Sequence, residues 1–170
     1  MEPRLPEIRA NIREALLTEF NSGLIEQYQV FLLPVFVLIC WTIVMWFWMY
    51  ATRIPAMQKY KIDPNAARHT SDPIWGDIPS SVRAKADNYN HLHEQPTLFY
   101  AIMGYAALTG GASQFAMYAA WAYVGLRILH SLIQSLTGNV ALRFGTFCLA
   151  SFALFALVGT QFGAALHLLH

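Results

Sequence analysis

From Tyr28 to Tyr50 the chain is almost wholly apolar, with Gln29 and Thr42 the mild exceptions. A compact soluble core does not leave an uninterrupted apolar run of this length. A bilayer core asks for one, since about 20 residues at ~1.5 Å rise each are needed to cross it. The stretch is therefore expected to be a membrane-spanning helix, bent by Pro34 as membrane helices tolerate. Trp41, Trp46, Trp48 and Tyr50 crowd its second half, as in an interfacial aromatic belt. Composition agrees: 56% of the 170 residues are hydrophobic and 12% are charged, about half the charge of an ordinary soluble domain. A net charge of +1 gives no clustered basic surface, so nucleic acid is excluded as a partner. Cys40 and Cys148 both lie in apolar runs and read as small hydrophobes.

Three more spans are expected. One starts at Ser80 or Ser81, acting as N-cap after Pro79, and runs to about Leu108, where Gly110 and Gly111 stop it. The next covers Gln114 to Leu136. After a tight turn at Gly138 and Asn139, the last runs from Val140 to about Leu169. Residues 51–80 hold Pro55, Pro64, Pro73 and Pro79 and are expected to be a long connecting loop. The fold class is thus all-α: an integral membrane four-helix bundle forming one domain, residues 28–170. Residues 1–27 precede it as a separate segment. Ile8, Ile12, Ala15 and Leu16 recur there at helical spacing between acidic and basic residues, so an amphipathic helix is expected from about Leu5 to Phe20. It would lie at the interface or on a protein partner.

The basic residues set an orientation. Arg53, Lys59, Lys61, Arg68, Arg83 and Lys85 surround the first connection and Arg143 follows the third, whereas the other side has only N-terminal arginines offset by acids. The positive-inside rule places the first and third connections in the cytoplasm and both termini outside.

Chemistry should collect where ionisable residues enter the spans, because each is costly there unless paired. On the second helix Arg83, Asp87, Asn90 with His91, and Glu94 recur every three or four residues and share a face. On the third, Tyr123, Arg127, His130 and Gln134 do the same. Glu94 and Arg127 fall at comparable depth on antiparallel helices. They either neutralise each other to fix packing, or line a polar cavity near the cytoplasmic surface, roofed by Arg143. His91 and His93, two apart, point about 200° away from each other on a helix and cannot share a metal ion. His91 with Glu94 is a workable pair, but one carboxylate is too few for a carboxylate-bridged site, so no metal is assigned. No phosphate loop, nucleophile elbow or Cys-x-x-Cys occurs.

Two stretches resemble the MAPEG family, the membrane-associated proteins in eicosanoid and glutathione metabolism, and suggest a bacterial-type member. Asn90-His91-Leu92-His93-Glu94-Gln95-Pro96 is similar to the family's second-helix signature of asparagine and glutamate before a proline and an apolar run. Arg127-Ile128-Leu129-His130, followed by Arg143-Phe144, resembles its third-helix arginine and histidine and its fourth-helix arginine. Gln134 and Phe147 stand where glutathione-using members carry tyrosines. The resemblance implies a homotrimer with a glutathione site between subunits, open to the cytoplasm. Arg143 would stabilise the thiolate, Asn90 and Glu94 would position the tripeptide, and Arg127, His130 and Gln134 would support the site.

The function expected is a glutathione- or thiol-dependent transferase or peroxidase, in a bacterial inner membrane, acting on small lipophilic electrophiles drawn from the lipid. The rival is a non-catalytic scaffold or accessory subunit whose polar cluster is structural. A small transporter or proton relay using Glu94 and His130 is a third.

Overall fold

The computed structural model describes residues 5–63 and 73–167. Pro64, Arg68 and Asp72 of the expected first loop lie outside the described residues, as do the side chains of residues 5–10 and the end of the last span.

The first helix, α1, runs without interruption from Leu5 to Lys59. At ~1.5 Å per residue it is about 80 Å long, well over twice the ~30 Å hydrocarbon thickness. The expected N-terminal helix and first span are therefore one continuous element. The loop expected from residue 51 begins only after Lys59, because α1 passes through both Pro34 and Pro55. Its inward stripe is Phe31, Leu38, Met45, Met49 and Ala56, all buried and set at multiples of a helical turn. A short 3-10 helix, Pro73–Asp77, follows, and Trp75 and Ile78 pack with Ala56 and Ile62 in a satellite cluster.

The second span is broken. Helix α2 covers Ser80–His91 and α3 covers Gln95–Thr109, with a turn at Leu92–Glu94 between them. The expected continuous helix fails at Pro96, which has no N–H for the Leu92 carbonyl and disfavours helical backbone at the residue before it. Glu94, two residues before Pro96 and at the cap position of α3, lies off the helical backbone at φ −87°, ψ −93°. Pro79, rather than Ser80 or Ser81, occupies the cap position of α2. The stop after Leu108 is as expected: Gly110 takes φ +75°, a left-handed cap at little cost for glycine.

Helices α4, Gln114–Leu136, and α5, Val140–His167, form an antiparallel hairpin and the most extensive helix contact. Ser113 caps α4 by accepting a hydrogen bond from the Ala116 amide at 3.1 Å. Gly138 turns the chain at φ +65°. With α2 and α3 counted as one broken rod, the fold is an all-α four-helix bundle around Leu38, Met45, Phe99, Met103, Tyr123, Leu154 and Leu157.

Outward faces carry the opposite signature from a soluble protein. Leu33, Phe36, Ile39, Ile43 and Phe47 of α1 and Leu149, Phe152, Phe155 and Phe162 of α5 are exposed, while Arg127, Asn88, Ser131 and Gln134 are buried. Apolar outside and polar between helices is the arrangement lipid selects. Helices α1 and α5 are each long and apolar enough to cross a membrane. In α4 the polar residues face other helices instead.

Candidate functional site

A cleft of about 420 Å³ opens on the flank of the bundle where α2, α4 and α5 meet. Asp87, His91 and Glu94 line it from α2 and the turn, His130 and Gln134 from α4, and Val140, Arg143, Phe144 and Phe147 from α5. Four of the six residues singled out in the sequence are thereby brought together: Glu94, His130, Gln134 and Arg143. The other two are not. Asn90 is exposed and points away from the cleft lining, and Arg127 is completely buried in the bundle.

Local folding explains each position. Arg143 lies one turn into α5, whose start is fixed by the Asn139 side chain accepting from the Leu142 amide at 3.0 Å. The Arg143 carbonyl accepts from His130 Nδ1 at 3.0 Å, and the other ring nitrogen lies 3.2 Å from the amide oxygen of Gln134. His130 is thus engaged at both nitrogens and held in one orientation. His91 is the last residue of α2. Its Nδ1 donates to Glu94 Oε2 at 2.6 Å, and its ring lies against those of His130 and Phe147, with centroids 5.3 and 5.6 Å away. The expected pairing of His91 with Glu94 persists across the turn at Leu92–Glu94.

The expected proximity of Glu94 and Arg127 does not produce a pair. Glu94 is 65% exposed on its side chain and bonded to His91. Arg127 instead donates from Nη2 to Gln95 Oε1 and from Nε to the Tyr123 hydroxyl. Its guanidinium also lies over the rings of Tyr123 and Phe147, at 5.4 and 5.3 Å. The turn at Leu92–Glu94 decides this, leaving Glu94 outward and bringing Gln95 inward to Arg127. Gln95 also donates to Ser151 at 2.9 Å, so it ties α3 to both α4 and α5.

Sequence reasoning passed over Gln95 and Asn88. Asn88, rather than Asn90, is the buried asparagine, fully enclosed with no partner for its amide among the described residues. The usable signal was register: Asn88 and Leu92 are four apart on one face, and Leu92 belongs to the core. A second cavity, about 40 Å³ between Arg53, Trp75, Arg83 and Asp87, brings together less chemistry. Among the described residues no group of three or more His, Cys, Asp or Glu is placed to hold a metal ion.

No curated protein and no solved structure matches the chain significantly. The family model described as "MAPEG family" matches residues 31–163. That stretch takes in the apolar part of α1, the broken rod, the whole of α4 and nearly all of α5, and with them every residue of the cleft. The chain belongs to the MAPEG family of membrane proteins.

Proposed function

We propose that the protein is a membrane-embedded glutathione- or thiol-dependent transferase or peroxidase acting on lipophilic electrophiles. One observation carries the reading. Arg143 opens onto a cleft large enough for a peptide-sized thiol, beside polar groups held in place by helix packing. A cation lowers the pKa of a nearby thiol, and the thiolate is the nucleophile. The family generally uses glutathione, whose carboxylates and amides suit Arg143, Gln134 and the histidines. Phe144 and Phe147 line the same cleft and offer an apolar wall to a substrate entering from lipid. Arg127 and Asn90 have no place in the cleft lining, so Arg127 acts as a support behind Phe147.

A homotrimer suits this reading, since the cleft lies on the flank of a single subunit and family members usually assemble as trimers. Residues 1–27 lie outside the matched stretch and serve as an interaction segment, carried from Leu5 onward on the same helix as the first span. A bacterial inner membrane, with the first and third connections cytoplasmic, completes the picture.

The test is Arg143→Ala in purified protein. Millimolar glutathione should raise the melting temperature of the wild type, because a ligand stabilises the folded state by RT ln(1 + [L]/Kd). Arg143→Ala should leave expression and folding intact, since Arg143 is only half-buried, yet abolish thiol-dependent turnover. Absence of any thermal response in the wild type would sink the reading. The scaffold alternative draws on a different observation, the wholly internal bonding of Arg127; it gains if Arg143→Ala and Gln95→Ala lose stability alike and no turnover is found.

A further inference from the structure

We propose, on top of the thiol-chemistry reading, that His91 is the catalytic base that takes the thiol proton, with Glu94 as its positioning residue. Three histidines lie near the broken rod, and their bonding separates them. His93 Nδ1 donates to the Tyr89 carbonyl at 2.8 Å and its ring lines a groove against α1, with Ile39, Thr42 and Tyr100. His130 is engaged at both nitrogens and only 3% exposed. His91 alone combines access to the cleft, with 28% side-chain exposure, and a carboxylate on one nitrogen. A carboxylate can only accept, so Nδ1 carries the hydrogen and Nε2 is the nitrogen with a lone pair for an incoming proton.

Acidic groups face the ring from its own side of the cleft. Glu94 bonds the ring at 2.6 Å, and Asp87 lines the same cleft one helical turn earlier. His91 also closes the C-terminal turn of α2, where the helix dipole attracts a cation. Arg143 from α5 lines the cleft, and among the described residues His130 from α4 and Arg127 behind Phe147 are further ionisable groups nearby. The positive groups sit on the α4–α5 side and the negative ones on the α2 side. A thiol between them is split in the right sense, its proton drawn to His91 and its sulfur to Arg143.

The cycle balances without a further reactant. The S–H bond breaks as N–H forms at Nε2, giving a thiolate beside Arg143 and an imidazolium held by Glu94. The thiolate adds to an activated alkene, so that an S–C bond forms and the π pair moves to the neighbouring carbon. That carbon then takes the proton back from Nε2 and the base is restored.

The experiment uses full-length wild type, His91→Gln and Glu94→Gln in nanodiscs, with glutathione and an activated alkene as probes. Melting temperature reports binding, ultraviolet absorbance of the bound thiolate reports ionisation, and both are followed with turnover across pH. Glutathione should still raise the melting temperature of all three proteins. His91→Gln should lose thiolate absorbance and about 100-fold in turnover at neutral pH. Glu94→Gln should lose less, and both should approach wild type at alkaline pH, where the thiol ionises unaided. Should His91→Gln fail to fold, Glu94→Gln carries the test alone, since its side chain is largely exposed. Equal binding with unchanged pH profiles in both variants overturns the base assignment and leaves the thiol reading standing. A wild type that does not respond to glutathione removes both.

Discussion

Gln95 and Glu94 are adjacent in sequence and opposite in consequence. Gln95 receives a hydrogen bond from a buried guanidinium and donates one to Ser151, so Gln95→Ala breaks two bonds and leaves Arg127 with Tyr123 as its remaining side-chain hydrogen-bond partner. Hydrogen bonds to charged groups are worth about 1.5–3 kcal/mol, and a loss of that size is expected in reversible unfolding of the detergent-solubilised protein. Glu94→Gln should shift stability by less than about 1 kcal/mol, the usual worth of an exposed ion pair. A larger loss for Glu94→Gln than for Gln95→Ala would show that the carboxylate has a buried role after all. The sequence made the chemistry of this region legible but not its partners. His130, Gln134 and Arg143 could be gathered because α4 and α5 are uninterrupted helices whose faces follow from spacing. Arg127's partner could not, because a three-residue turn rotates everything after it, and spacing counted through that turn assigns the wrong neighbour.

Among elements, the two glycine turns and one serine cap hold the hairpins together. Ser113 satisfies an amide at the start of α4 that has no partner within the helix. Ser113→Ala should therefore cost about 1 kcal/mol, and Ser113→Asp should retain most of the stability. Gly138 stands at φ +65°, a backbone that costs roughly 1–2 kcal/mol with any Cβ, so Gly138→Ala should lower the melting temperature without touching the cleft. Both effects are read by thermal denaturation, and both should leave glutathione-dependent stabilisation unchanged. These ends were visible in the sequence, because caps and left-handed turns are local. The end of α1 was not. Pro55 looks like a terminator, but a helix tolerates it when the freed carbonyl finds other partners. A helix of 55 residues is also longer than any pattern of apolar spacing in this chain would suggest, since its N-terminal third is exposed on all the described positions from Asn11 to Gly23.

At the scale of the whole molecule, the balance of polar and apolar surface bears on how many chains assemble. Leu149, Phe152 and Phe155 of α5 and Phe36 and Phe47 of α1 are suited to lipid. The cleft beside them is not, for it exposes Asp87, His91, Glu94 and Arg143 on the flank of one subunit. Ionisable side chains at membrane depth cost several kcal/mol unless paired or watered, and a lone bundle in lipid would have to leave this flank uncovered. A second chain that walls the cleft off from lipid while leaving it open to water removes the conflict, and a closed ring of such contacts gives every subunit the same cover. On the trimer proposed above, three chains of 19.2 kDa are expected as the species in mild detergent and in nanodiscs. Mass photometry should show a trimer that survives dilution. Arg143→Ala should preserve it, whereas bulky substitutions at exposed Phe144, on the rim of the cleft, should weaken it. A monodisperse monomer whose Asp87 and Glu94 resist water-soluble carboxylate reagents would overturn the prediction, because those side chains would then be shielded without a neighbour.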